Sequence, residues 1–181
     1  DIALTDLNAD GRMDIVIRVE LGSTYYYLQG NNADSWTRVL IPQAPDGHGG
    51  LAVADINRDG HLDIVENGYW LQGPANYATG TWVRRDVVSW GVGSSAAAYD
   101  INHDGRIDIF LAASETGPGK LSWFEAPVDP IAGTWIQHDI DNVEDFHRFF
   151  LIDVDNDGTE DLVFAEMHQS PAKRVGIYHN N

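Results

Sequence analysis

The chain has 181 residues, 43% of them hydrophobic and 22% charged, a composition that fits one ordinary folded domain and excludes a disordered chain. Its net charge of -17 argues against nucleic acid or an anionic membrane as partner, and the lack of cysteine excludes disulfides and thiolate metal sites. No apolar run approaches the roughly 18 residues of a membrane span, so no membrane insertion is expected, and the N-terminus shows no charged-then-apolar leader pattern.

Taken in order, the chain opens on a short apolar strand, Ile2-Ala-Leu-Thr, which runs into the loop Asp6-Leu-Asn-Ala-Asp-Gly-Arg-Met-Asp14. β-Formers follow in Asp14-Ile-Val-Ile, then an aromatic strand, Tyr25-Tyr-Tyr-Leu, and a fourth strand that begins at Trp36. The second unit repeats the order: Leu51-Ala-Val-Ala, the loop from Asp55 to Asp63, Ile64-Val, Tyr69-Trp-Leu and a strand at Trp82. The third has Ala96-Ala-Ala-Tyr, the loop from Asp100 to Asp108, Ile109-Phe-Leu, Leu121-Ser-Trp-Phe and a strand at Trp135. The fourth has Phe149-Phe-Leu-Ile, the loop from Asp153 to Asp161, Leu162-Val-Phe and Val175-Gly-Ile-Tyr. No 3.6-residue apolar periodicity of useful length appears, so almost no helix is expected.

Successive loops start 49, 45 and 53 residues apart, a period that means propeller blades or solenoid turns, and four strands per unit selects the propeller. The expected fold is therefore all-β, a β-propeller of four-stranded antiparallel blades over residues 1–181. The repeats span about 1–45, 46–92, 93–142 and 143–181, the last incomplete. By the spacing of the other units, a fourth tryptophan is expected near position 180 to 188, so the sequence reads as part of a larger propeller. Small side chains in the first strands of units two and three suit the crowded centre of a propeller; Phe149 and Phe150 break that pattern.

Each loop places acceptor oxygens at positions one, three, five and nine: Asp6, Asn8, Asp10 and Asp14; Asp55, Asn57, Asp59 and Asp63; Asp100, Asn102, Asp104 and Asp108; Asp153, Asp155, Asp157 and Asp161. Position six is always glycine, where a tight turn is expected, and the backbone carbonyl of position seven (Arg12, His61, Arg106, Thr159) is a further candidate ligand. Alternate oxygens of this kind suit a hard cation that takes six to eight ligands in irregular geometry, so calcium is expected, up to four ions, in preference to strictly octahedral magnesium. The bland alternative is that Asp, Asn and Gly collect in turns because they make good turns, a reading that four copies in register render weak. An EF-hand would carry Glu at position twelve between helices; here that position is Ile17, Glu66, Leu111 and Phe164. The loops hold 13 of the 28 acidic residues, and four dications would bring the charge from -17 to -9.

The motif Asp-x-Asn-x-Asp-Gly-x-x-Asp followed by apolar residues resembles the FG-GAP or VCBS repeat of integrin alpha subunits and of many secreted bacterial and fungal propellers. The resemblance covers essentially the whole chain. It implies a calcium-bearing propeller, usually of seven blades, in which the remaining blades come from the same or another chain. It implies little about function, because such propellers include adhesins, lectins and carbohydrate-active enzymes.

On the face opposite the loops, His48, Glu66, His147, Glu166 and His168 are candidates for a second divalent-metal site or for acid–base work on a polyol; the alternative is that they are merely polar loop residues. Glu20 and Glu115 share that expected face, while His61, His103, His138 and His179 read as surface or outer-strand residues. Tyr69, Trp70, Trp123 and Phe124 could stack on sugar rings, but repeated aromatics in a third strand read first as packing between blades. Two functions follow: an extracellular, secreted or cell-surface module that binds carbohydrate or protein, or a metal-assisted lyase or dehydratase acting on sugars.

Overall fold

The computed structural model of the chain describes residues 1–19, 22–42, 49–90, 94–113, 118–144, 146–168 and 170–180, without the side chains of Ser94, Pro118, Glu144 and His147. His48, Glu20 and Glu115 lie outside the described residues, as does the side chain of His147. Four antiparallel sheets follow one another along the chain. The first has β1 (Ile2–Thr5), β2 (Asp14–Arg18), β3 (Thr24–Gln29) and β4 (Trp36–Ile41). The second has β5 (Ala52–Ala54), β6 (Asp63–Glu66), β7 (Tyr69–Gln72) and β8 (Val83–Asp86). The third has β9 (Ser94–Tyr99), β10 (Asp108–Ala113), β11 (Pro118–Glu125) and β12 (Ile136–Glu144). The fourth has β13 (Phe146–Ile152), β14 (Asp161–Glu166) and β15 (Val175–Tyr178). Every sheet is a simple meander, no helix occurs among the described residues, and the fold is the expected β-propeller with three strands in its fourth blade. No helix among them is long and apolar enough to cross a membrane.

The inner strands β1, β5, β9 and β13 line a common central cleft of about 410 Å³, which sets them round one axis. Alternation along each strand sends odd and even residues to opposite faces of the blade, and the faces of neighbouring blades bury each other. Between the first and second blades, Val16, Tyr26 and Ile41 pack on Ile64, Leu71 and Trp82. Val65 and Trp70 pack on Ile109, Leu111 and Phe124 between the second and third. Phe110 and Leu121 meet Phe146, Phe149 and Phe164 between the third and fourth. Each blade thus has a front face, toward the blade after it, and a back face, toward the blade before.

This packing explains the aromatics of the third strands: Tyr69, Trp70 and Phe124 are buried, and Trp123 packs in the last core with its ring stacked on His138 at 4.1 Å. Near the axis the second and third blades approach so closely that a Cβ at Gly50 would stand 2.0 Å from the backbone nitrogen of Ala96, so glycine is required there. Phe149 turns to the back face and is buried against the third blade, while Phe150 turns to the front face and is exposed.

Candidate metal centre

In a meander the loop between first and second strands and the turn between second and third lie at opposite ends of the blade, so all four acidic loops share one face of the propeller. The four loops close through one hydrogen-bond scheme. The carboxylate of position one accepts the N–H groups of positions five and six: from Asp10 and Gly11 onto Asp6 at 2.9 and 2.8 Å, and likewise onto Asp55, Asp100 and Asp153. Oδ1 of position three (Asn8, Asn57, Asn102, Asp155) also accepts the N–H of position five. Oδ1 of position five (Asp10, Asp59, Asp104, Asp157) accepts the N–H of position seven, from Arg12, His61, Arg106 and Thr159.

The turn is made with two left-handed residues. Position six has φ of +85, +86, +83 and +94° at Gly11, Gly60, Gly105 and Gly158, and open space surrounds each site where a Cβ would stand. Glycine is there for its backbone angle and not to relieve crowding, and the expected tight turn is made through that angle. Position four is left-handed as well, at Ala9, Arg58, His103 and Asn156 with φ of 57, 59, 56 and 61°, a conformation that costs a non-glycine residue roughly 1–2 kcal/mol.

The ninth residue does something the spacing alone does not disclose. Asp14, Asp63, Asp108 and Asp161 are fully buried, and both oxygens of each accept backbone N–H groups. Asp63 takes Ile56 N–H at 2.9 Å and Gly73 N–H at 2.7 Å; Asp14 takes Leu7 and Gln29, Asp108 takes Ile101 and Ala126, and Asp161 takes Val154 and Asn180. One oxygen holds the start of the loop and the other holds the end of the third strand. Each oxygen keeps a second lone pair, so the clamp and a cation are compatible.

The donor set fits a hard dication. In the fourth loop, carboxylate oxygens of Asp153, Asp155 and Asp157 converge within 4.8 Å of one another, close to the span of ligands that sit about 2.3–2.6 Å from one ion. In the second loop, burial pushes Asp63 up to about 7; the Gly73 and Ile56 N–H groups oppose that shift, and the charges of Asp59 and Asp55 add to it. Asp108 is pushed up to about 6 by burial, with Asp104 and Asp100 adding to the push.

The loops differ in internal counter-charge. The guanidinium of Arg12 pairs with Asp10 while its Nε donates to Gln29 O, and Arg106 does the same with Asp104 and Ala126 O. The second loop has neutral donors instead, from Asn57 and Gln72 onto Asp59. At the fourth, His179 Nδ1 stands 3.3 Å from Asp161 Oδ1 and 3.7 Å from Asp155 Oδ2, joining them in a metal-capable group. His179 reads from sequence as an outer-strand residue; no local signal shows that the end of β15 returns to this loop.

Of the residues of the expected opposite-face site, Glu66 and Glu166 go to separate blade junctions. Glu66 is buried between the first two blades, where it pairs with Arg18 and accepts the hydroxyls of Thr24 and Tyr69. Burial, and then the Glu66 charge, raise the Tyr69 phenol above its ordinary range. Glu166 accepts Arg174 Nε and N–H at 2.7 and 2.8 Å and Ser170 Oγ at 2.8 Å, while Arg174 Nη1 reaches Asp141 of the third blade at 2.7 Å. Burial works against ionisation of Glu166, yet the Arg174 and Ser170 hydrogen bonds hold it below its ordinary value. His168 is exposed. Among the described residues, the metal-capable groups of three or more side chains belong to the fourth loop and its His179.

Glu66 therefore acts as an inter-blade tie, and Glu66→Gln, which keeps the shape and removes the charge opposite Arg18, is expected to destabilise the fold by about 2–3 kcal/mol. Urea unfolding checks this; a midpoint unchanged from wild type would contradict it.

A family model, the FG-GAP-like repeat, matches residues 6–66 and 100–164, which together span most of the chain and contain all four loops in full. The chain has no significant match among curated proteins.

Proposed function

Because the chain belongs to the FG-GAP-like repeat family, we propose that it is an extracellular calcium-binding propeller module, with up to four ions in its loops and a surface that binds carbohydrate or protein. One observation carries this reading: four loops, each with three or four aspartates, close through the same hydrogen bonds, and in the fourth the carboxylates of Asp153, Asp155 and Asp157 converge within 4.8 Å of one another. That arrangement concentrates negative charge where a cation is the natural neutraliser. Loops of modest affinity, with Kd near ~0.1 mM as in extracellular modules, fill at millimolar calcium and stay empty at cytosolic levels, which supports placement outside the cell.

Equilibrium dialysis or calorimetry with calcium tests the metal half. Four ions per chain are expected, in two classes. The second and fourth loops should be tighter, because Arg12 and Arg106 already neutralise part of the first and third. Arg12→Gln and Arg106→Gln should tighten those two loops severalfold. Fewer than two ions bound at millimolar calcium would sink the proposal. A glycan array probed in calcium and in chelator tests the ligand half: sugars retained in calcium alone support carbohydrate, and a blank array rejects it in favour of protein.

A further inference from the structure

The buried aspartate at position nine of each loop accepts an N–H at the end of the third strand, from Gln29, Gly73, Ala126 and Asn180. The residue before that N–H therefore holds the same place in every blade: Leu28, Gln72, Glu125 and His179. Leu28 packs on the core between the first two blades. Gln72 Nε2 donates to Asp59 of the second loop at 3.4 Å, and Glu125 Oε1 stands 3.7 Å from Arg106 of the third. The second and third blades thus show that a polar side chain at this place reaches its loop, and the fourth blade puts an imidazole there.

The fourth loop departs from the others at one more point. Position three is Asn8, Asn57 and Asn102 in the first three loops and Asp155 in the fourth. The two departures face each other. His179 Nδ1 is 3.7 Å from Asp155 Oδ2 and 3.3 Å from Asp161 Oδ1, and the three groups lie within 4.8 Å of one another. Donors that share an ion at about 2.0–2.2 Å stand roughly 3–3.5 Å apart, so small adjustments close this set on one metal. The backbone beside the imidazole is fixed: Asn180 N–H donates to Asp161 Oδ1 at 3.0 Å, and Asn180 O lies 2.7 Å from Thr159 Oγ1.

We propose that His179 sets the metal preference of the fourth loop, adding a nitrogen ligand that draws a first-row transition dication, zinc for example, in preference to calcium. The inference rests on the reading of the loops as cation sites. Calcium takes oxygen ligands, whereas imidazole nitrogen suits zinc and its neighbours. With its proton on Nε2, His179 offers the Nδ1 lone pair, Asp155 and Asp161 supply anionic oxygens, and Asp153 and Asp157 remain to complete the shell. The first three loops have no imidazole at this place and keep their preference for calcium. A plain ion pair between a protonated His179 and the extra carboxylate would act in the opposite sense, because it opposes every cation.

Calorimetry with zinc in excess calcium, on wild type and His179→Gln, tests the proposal. Wild type is expected to take up one zinc per chain in competition with calcium, and the substitution to weaken that uptake by about tenfold or more. Calcium uptake without zinc should be the same in both proteins, which also shows that the variant is folded. Imidazole nitrogen NMR adds a readout that a structural role would not move: zinc should shift the Nδ1 resonance of the histidine that the variant lacks, and calcium should not. Zinc that fails to compete with calcium, or a zinc affinity unchanged by the substitution, overturns the proposal. So does a substitution that tightens zinc and calcium alike, as removal of a mere counter-charge would. The two readings fail separately. Calcium in all four loops without zinc selectivity rejects the role of His179 alone, whereas zinc at His179 with no calcium in the other three loops rejects the calcium reading alone.

Discussion

Calcium at ~2 mM is expected to raise the thermal midpoint of the chelated protein by about 15–25 °C. With Kd near ~0.1 mM, each loop gains RT ln(1 + 20), about 1.8 kcal/mol, and four independent loops about 7 kcal/mol. A chain of this size gains roughly 2–4 °C per kcal/mol. The effect is large because that sum is comparable with the roughly 5–15 kcal/mol of a whole domain. A shift under about 3 °C would mean that the loops hold calcium weakly or that their charge is already relieved from within.

The pH dependence gives an independent reading of the ninth-position carboxylates, which burial first, and the neighbouring aspartates after it, make costly to ionise. Asp63 and Asp108 are raised in the folded, metal-free chain, to about 7 and about 6. An unfolded aspartate titrates near pH ~3.9, so between there and about 7 the folded chain holds protons that the unfolded chain does not. Stability of the chelated protein should therefore fall as pH rises through this window, and acidifying from pH ~7 to ~5 should raise its midpoint. Calcium competes for the same carboxylates, so its increment should shrink over the same range. A chelated midpoint that falls on acidification would contradict this.

The fold was legible because its signals are local and repeated. A fixed spacing of loop aspartates, an apolar strand on either side and an aromatic third strand specify one blade, and repetition specifies the array. The position-six glycines were legible as turns, although the reason is their φ near +85° and not crowding. What the sequence does not disclose is which groups meet across a junction. Glu66 reads as a free carboxylate at the end of a strand until the first blade places Arg18 and Thr24 against it, 48 and 42 residues away. Glu166 is absorbed in the same way by Arg174, with Asp141 of the third blade as the second anchor. These pairings depend on which face of each blade is turned to its neighbour, and that is fixed by packing of whole sheets, not by spacing along one strand.

Asp63→Ala is expected to destabilise the protein by about 2–6 kcal/mol even in chelator, because it strands two buried backbone N–H groups at about 1–3 kcal/mol each. Those groups are on Ile56, at the entry of the loop, and Gly73, at the end of β7, so the carboxylate joins the loop to the third strand of the blade. A residue whose only task were to hold calcium would behave differently: its loss would matter in calcium and would be neutral, or even stabilising, without it, since one carboxylate fewer means less repulsion from Asp55 and Asp59. Asp59→Ala supplies that contrast. Its carboxylate is exposed and accepts His61 N–H within the loop, so in chelator its removal should change stability by well under half as much. Asp63→Asn separates the two roles further, because the amide keeps one acceptor oxygen for one of the two N–H groups and should recover part of the loss. The comparison is read from urea unfolding of the three variants with and without calcium. Equal losses for Asp63→Ala and Asp59→Ala in chelator would show that the ninth residue is a ligand and nothing more.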